Sequence, residues 1–220
     1  MPVGYSDRYF RVALGCFLSQ TYEGELELVI VDNSNEPIKG LLPDDPRIKY
    51  HRCSRMPVGA LRNLGTGLAS GEVCVTWDED DFSHPGRVRA QVTRMVESCK
   101  LVTGWHNILY YDEATGNAYK YFYEADPNRN HPPYACGTSQ MYLKAWWEKH
   151  KFPETGVEDQ VFSSEAMHAG QLDSCDAGKL CVARAHEGSK CHPKFVGRQF
   201  QAVVHDALPK EFYQSIGLEK

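Results

Sequence analysis

Two short apolar runs that each break off in acid constrain this chain more than any other feature. Leu26-Glu27-Leu28-Val29-Ile30-Val31 is rich in β-branched residues and stops at Asp32-Asn33-Ser34-Asn35. Glu72-Val73-Cys74-Val75-Thr76-Trp77 runs directly into Asp78-Glu79-Asp80-Asp81. Runs of this length, bounded by turn residues, read as buried strands. Helical spacing surrounds them: Phe10, Leu14, Phe17 and Leu18 within 8–20, the stretch 58–69, and Val88, Val92, Met95, Val96 and Cys99 behind Pro85. Proline suits a first helical turn. Residues 48–52 read as one more strand. Strands alternating with helices predict an α/β fold on a mostly parallel, doubly wound sheet. Both acidic runs then lie beyond the carboxyl ends of strands, where such sheets gather ligands.

Past residue 100 the texture changes. Residues 101–123 are β-branched and aromatic around Asp112-Glu113-Ala114-Thr115-Gly116-Asn117, which predicts a hairpin, and 126–133, rich in Pro, Asn and Arg, predicts a mobile loop. Residues 143–150 and 158–168 read as helices. There is no internal repeat and no linker, and 220 residues at 42% hydrophobic content are enough for one core without a disulfide. A net charge of −5 argues against a protein that coats nucleic acid. No run approaches the ~20 apolar residues of a membrane span, and the first eight residues lack a secretion pattern, so the expectation is a soluble, cytoplasmic protein. The eight cysteines contain no C-x-x-C pair and are expected as free thiols; Cys175, Cys181, Cys191 and His192 match no common zinc spacing.

An Asp-x-Asp-Asp corner offers the oxygen ligands that a hard divalent cation takes, bridging carboxylates to a substrate's phosphates. The same run also reads as a solvated turn capping the next helix, and on the run alone both readings stand.

Several pieces, in order, extend the pattern: Phe17-Leu18-Ser19-Gln20-Thr21-Tyr22, Val29-Ile30-Val31-Asp32-Asn33-Ser34, Gly59-Ala60-Leu61-Arg62-Asn63, Ala69-Ser70-Gly71-Glu72 and Trp77-Asp78-Glu79-Asp80-Asp81. They continue with Gly137-Thr138-Ser139-Gln140-Met141-Tyr142, Gly156-Val157-Glu158-Asp159 and Val182-Ala183-Arg184-Ala185-His186. On these pieces, from about Pro2 to Lys194, the chain resembles the family 2 glycosyltransferases, which have the GT-A nucleotide-sugar fold. The resemblance implies a single GT-A-like (nucleotide-diphospho-sugar transferase) domain over 1–220, with a central, mostly parallel mixed sheet flanked by helices. About 1–100 would form the nucleotide half, about 101–194 the acceptor and catalytic half, and 195–220 a C-terminal tail.

Roles follow residue by residue. The resemblance makes Asp32 the reader of the nucleotide base, against an alternative as a turn-former. It makes Asp78 the ribose or sugar contact, close to the metal, and Asp80 the carboxylate that holds Mn²⁺ or Mg²⁺ against the diphosphate. Glu79 and Asp81 are weaker candidates. Arg62 and Asn63 resemble a donor-facing pair, with an ordinary surface charge as the alternative for Arg62. Glu158-Asp159 resembles the family's ED motif at a helix start, where the dipole favours a carboxylate; Asp159 would be the general base and Glu158 its support, unless they merely cap the helix. His186 corresponds to a metal ligand of some relatives, or is structural. Trp105, Trp146, Trp147 and Tyr142 could stack on a sugar or fill the core. Lys179, Arg184, Lys190, Lys194 and Arg198 could meet a diphosphate or a polyanion, or be a solvated basic tail.

The expected activity is inverting transfer from a nucleoside diphosphate sugar, with uridine favoured by resemblance, to an unidentified hydroxyl on a glycan, a small molecule or a modified base in DNA. A nucleotidyltransferase is the alternative within enzymes, but it would show a glycine-rich basic loop near the amino terminus. An inactive carbohydrate-binding protein is the alternative outside them. Two departures from the family pattern stand out. The chain opens where the first strand should be ending, so that strand is missing or the start lies upstream, and the usual second acid after the early strand is Asn33.

Overall fold

The computed structural model describes residues 1–4, 7–122, 134–189 and 200–218. Its first sheet is parallel throughout: β1 (Pro2–Val3), β2 (Leu28–Asp32) and β3 (Ile48–Arg52), with β2 in the middle. Every residue of β2 is buried, because its alternating side chains meet different cores. Leu28 and Ile30 pack with Phe10, Leu14 and Phe17 of α1 (Asp7–Leu18), whereas Val29 and Val31 pack with Leu61 of α2 (Val58–Leu68). A strand covered on both faces has no position for a polar side chain before its end. Gly65 lets α2 close on it: a Cβ there would stand 3.3 Å from Val31 Cγ2.

The second sheet is mixed and is built on one long strand. β4 (Val73–Val75) and β5 (Phe82–Ser83) flank the acidic run. The spine, β6 (Val102–Asp112), is followed by β7 (Ala118–Tyr121), β8 (Met141–Leu143), β9 (Leu172–Asp176), β10 (Cys181–Ala185) and β11 (Phe200–Val203). β6 runs parallel to β9 and β10 and antiparallel to β7 and β8; β4 pairs with β8, β5 with β10 and β11 with β7. The β6–β7 hairpin closes as its sequence predicts. Asp112 accepts from the Ala114 amide at 3.0 Å and the Thr115 hydroxyl at 2.8 Å, and Gly116 takes the left-handed φ of +70°.

α1, α3 (Arg87–Ser98) and α6 (Lys210–Ser215) share the largest core with Trp77, Phe82, Leu109 and Tyr111. α4 (Lys144–Lys149) and α5 (Glu158–His168) close another around Tyr142, Phe152 and Phe162. α3 starts behind Gly86, so Pro85 precedes the helix instead of sitting in its first turn. Leu143 belongs to β8, where it pairs with Val73.

Two expectations change here, and one open alternative is decided. The first strand is present, as the two residues of β1. The stretch read as a C-terminal tail carries β11 and α6, and Leu208 and Phe212 are wholly buried, the latter with its ring 5.6 Å from that of Phe82 and 5.1 Å from that of Tyr111. Trp105, Trp146, Trp147 and Tyr142 are all core residues. The expected loop at 126–133 lies outside the described residues, as do Lys190, Cys191, His192, Lys194 and Arg198. The seven described cysteines are free, and burial pushes the Cys181 thiol up to about 12. Among the described residues no helix is long and apolar enough to cross a membrane.

Candidate active site

The acidic run leaves β4 under tight control. The Thr76 amide donates to Gln140 O at 2.8 Å and its hydroxyl to Gly137 O at 2.6 Å, while the Trp77 indole donates to Ala13 O at 3.0 Å. Arg87, wholly buried, donates to Thr76 O at 2.9 Å and Thr138 O at 2.7 Å, with its guanidinium 4.8 Å from the Trp77 ring. The chain then turns at Glu79 and Asp80, and burial alternates along the acids. Asp78 and Asp80 are half-buried, whereas Glu79 and Asp81 are buried. Glu79 accepts from the Gly4 amide at 2.7 Å, and Asp81 from the Arg184 amide at 3.1 Å. Burial, then the neighbouring Asp80 and Asp78, pushes the Asp81 carboxyl well above the usual range. The run thus gathers four acids at one corner of the sheet.

Asp80 and His186 meet across the sheet, Oδ2 to Nε2 at 3.0 Å. His186 follows β10, and its ring stacks on Tyr9 of α1 with centroids 4.4 Å apart. Arg184 is fixed beside it: its guanidinium pairs with Glu113, its Nε donating at 2.9 Å, and lies 4.8 Å from the Tyr9 ring. Lys179, the other described member of the basic segment, donates to Asp206 O.

Arg62 links the acidic run to the ED motif. Its side chain is buried, 3.0 Å from Asp78 and 3.5 Å from Glu158. Burial works against its charge, but Asp78, Glu158 and Asp159 outweigh it and raise its pKa. It is therefore no ordinary surface charge. Val157 is the N-cap of α5 and no side chain caps the helix, so Glu158 and Asp159 occupy its first turn with their carboxylates turned to other partners. Asp159 Oδ2 accepts from the Tyr134 hydroxyl at 3.1 Å.

Arg62, Asp78, Asp80, Arg184, Glu158 and Asp159 line one cleft of ≈ 1030 Å³ together with Asn33, Arg55, Met56, Tyr110, Tyr121 and Tyr134, while His186 pairs with Asp80 from outside that lining. It has the capacity of a drug-sized or nucleotide ligand. Two further residues expected there lie elsewhere. Asp32 is wholly enclosed, accepting from the Ser34 amide and hydroxyl, the Ile38 amide, the Tyr50 hydroxyl and the Arg52 guanidinium at 2.6–3.0 Å. Burial opposes its charge, yet the Ser34, Tyr50 and Ile38 hydrogen bonds prevail and lower its pKa. Its neighbour Asn33 lines the cleft instead. Asn63 faces α4: its Oδ1 accepts from Trp147 Nε1 at 2.9 Å and the Phe152 amide at 3.0 Å, and its Nδ2 donates to Phe152 O at 2.7 Å. Sequence reasoning missed Tyr134, Tyr9 and Glu113, which belong to no spaced motif and act through partners 25 to 177 positions away.

The fold and the cleft together define a GT-A-like domain of the nucleotide-diphospho-sugar transferase class. The family model described as Glycosyl transferase family 2 matches residues 8–151. The chain belongs to glycosyl transferase family 2. It is similar to the uncharacterized glycosyltransferase YwdF of Bacillus subtilis (strain 168), 29% identical over 42% of this chain and 35% of the relative. An uncharacterized glycosyltransferase of Haemophilus influenzae is 25% identical over 54% of this chain and 49% of its own length. The chain thus spans a third to a half of the curated relatives it matches. Among solved structures, S. aureus TarS 1–349 in complex with UDP-GlcNAc superposes with a TM-score of 0.64 at 19% identity, covering 97% of this chain and 62% of that one. The same TarS fragment in complex with UDP gives 0.60 at 17% identity over 84% and 59%.

Proposed function

We propose that the chain is a metal-dependent, inverting glycosyltransferase that moves a sugar from a nucleoside diphosphate sugar, by preference a uridine one, to an acceptor hydroxyl. The observation that carries this reading is the shared cleft: Asp80, which pairs with His186 at 3.0 Å, and Asp159 line one space, and buried Arg62 joins Asp78 to Glu158 in the same lining. The TarS complexes with UDP and UDP-GlcNAc support the uridine donor. About 1–100 would serve the donor and about 101–194 the acceptor.

The residues fit a divalent cation. A carboxylate oxygen and an imidazole nitrogen suit Mn²⁺ and, less well, Mg²⁺, and Asp80 and Asp78 stand close enough to Asp81 to add to the burial that raises its pKa. No group of three or more His, Cys, Asp or Glu side chains among the described residues could hold the ion alone, so diphosphate oxygens would complete the ligand set of Asp80, His186 and, close by, Asp78. Asp80 and His186 would hold the cation, whose charge would offset that of the departing diphosphate. Asp159 takes the proton of the acceptor hydroxyl as its oxygen bonds the anomeric carbon and the bond to the diphosphate breaks, with inversion at that carbon. Asn33, which also lines the cleft, is the side chain we assign to the base. The proposed acceptor is a hydroxyl on a glycan, a small molecule or a modified base in DNA, and the proposed location is the cytoplasm.

A panel of nucleotide sugars tests the reading through slow transfer to water, which needs no acceptor. A uridine diphosphate sugar hydrolysed with Mn²⁺ or Mg²⁺, and not after chelation or in Asp80→Ala, is the expected result. An absence of turnover across the panel would favour the inactive carbohydrate-binding alternative.

A further inference from the structure

The hydroxyl of Tyr134 is the one side-chain donor to the Asp159 carboxylate among the described residues, at 3.1 Å from Oδ2. Oδ1 takes no hydrogen bond there. Two other contacts restrict the same carboxylate. A Cβ on Gly137 would lie 2.6 Å from Oδ2 and 2.9 Å from Cγ, so only glycine at 137 leaves room for the side chain where it stands. Gln140, wholly buried, donates from Nε2 to Asp159 O at 2.8 Å and to Ala135 O at 3.2 Å, which clamps the first turn of α5 to the segment that carries Tyr134. The Ser174 hydroxyl donates to Tyr134 O and holds that segment from the β9 side.

We propose that Tyr134 is the positioning residue for Asp159: its hydroxyl fixes Oδ2 against the Gly137 wall and leaves Oδ1 to the acceptor hydroxyl. The inference rests on the reading of Asp159 as the general base. Burial keeps the Tyr134 phenol protonated far above neutral pH, so it serves as a donor and not as a second base. The bland reading is ring packing, because Tyr134 also lies against the core around Trp105 and Cys136. The two differ in the hydroxyl alone, since a phenylalanine keeps the ring and loses the bond.

Arg62 from α2, Glu158 on α5 itself, and Cys136 and Tyr121 on the Tyr134 side also surround the pair; all persist in Tyr134→Phe. The test is Mn²⁺-supported hydrolysis of UDP-GlcNAc by wild type and Tyr134→Phe, read as kcat and KM, with the carbon-13 carboxyl resonance of Asp159 at fixed pH reporting on the hydrogen bond itself. Tyr134→Phe is expected to move that resonance and to lower kcat roughly tenfold through lost orientation, with KM unchanged. Calorimetric affinity for UDP with Mn²⁺ should not change. Gly137→Ala, which crowds the carboxylate while retaining Tyr134, should lower kcat in the same way and stands in if Tyr134→Phe does not fold. An unmoved Asp159 resonance in a folded variant overturns the inference whatever the rate does. Full turnover by Asp159→Asn would instead remove the base assignment, leaving the resonance to decide the Tyr134 contact separately.

Discussion

The carboxylates that end β2 and β4 look alike in sequence and differ in surroundings. Asp32 is met by five donors from Ser34, Ile38, Tyr50 and Arg52 and is closed to solvent. Asp78 and Asp80 stand among other acids, half-open to the cleft, with Arg62 and His186 as their partners. A carboxylate whose lone pairs are filled by its own loop organises that loop; one left short of donors beside like charges attracts a cation or a substrate. On this contrast we propose a folding role for Asp32 and a chemical role for the β4 pair.

The largest expected effect lies on the β4 side. Asp80→Ala should lower donor turnover by at least about 10²-fold without lowering the melting temperature, because it thins a cluster of like charges. A large loss of stability would place Asp80 with Asp32 and break the comparison. Asp32→Ala should behave in the opposite way, costing roughly 2–4 kcal/mol in chemical denaturation as buried donors lose their acceptor; the value is discounted because its Arg52 partner is 36% exposed. Donor affinity of the folded fraction should survive. Asn63→Ala should cost about 1–3 kcal/mol by leaving Trp147 Nε1 and the Phe152 amide without an acceptor, again with UDP binding intact; a binding defect would return Asn63 to the donor site.

The smallest effect is a titration. The pKa of Asp32 is lower in the fold than its ordinary value of 3.8, so its contribution is complete above that value and is lost as pH falls through the folded pKa. The stability gap between wild type and Asp32→Asn should therefore narrow below about pH 4. A gap that stays constant through that range would show that the carboxylate charge is not what holds the loop.

Much of this was legible in sequence where periodicity was strong. β3, α2, α5 and the β6–β7 hairpin follow from apolar spacing and the Asp112–Asn117 turn, and the cleft acids follow from their place after a strand. β5 and β8 were not legible, because two or three residues hold no period and their pairing with β10, β4 and β6 is set by distant chain. Asp32 and Asn63 were misplaced for one reason: a motif gives the position of a side chain along the chain but not the count of donors around it. Ser34 hinted at a local turn, yet Tyr50 and Arg52 come from the next strand. Tyr134 follows a stretch rich in Pro, Asn and Arg and meets Asp159 across 25 positions, where Gln140 ties the two segments together.

The most direct test of the central claim is calorimetric titration of UDP into wild type, Asp80→Ala and Asp32→Asn, each with Mn²⁺ and with chelator. The account predicts that Mn²⁺ tightens UDP binding in wild type and in folded Asp32→Asn, and that the gain disappears in Asp80→Ala. Equal UDP affinity with and without Mn²⁺ in wild type, or a metal gain that persists in Asp80→Ala, would contradict it.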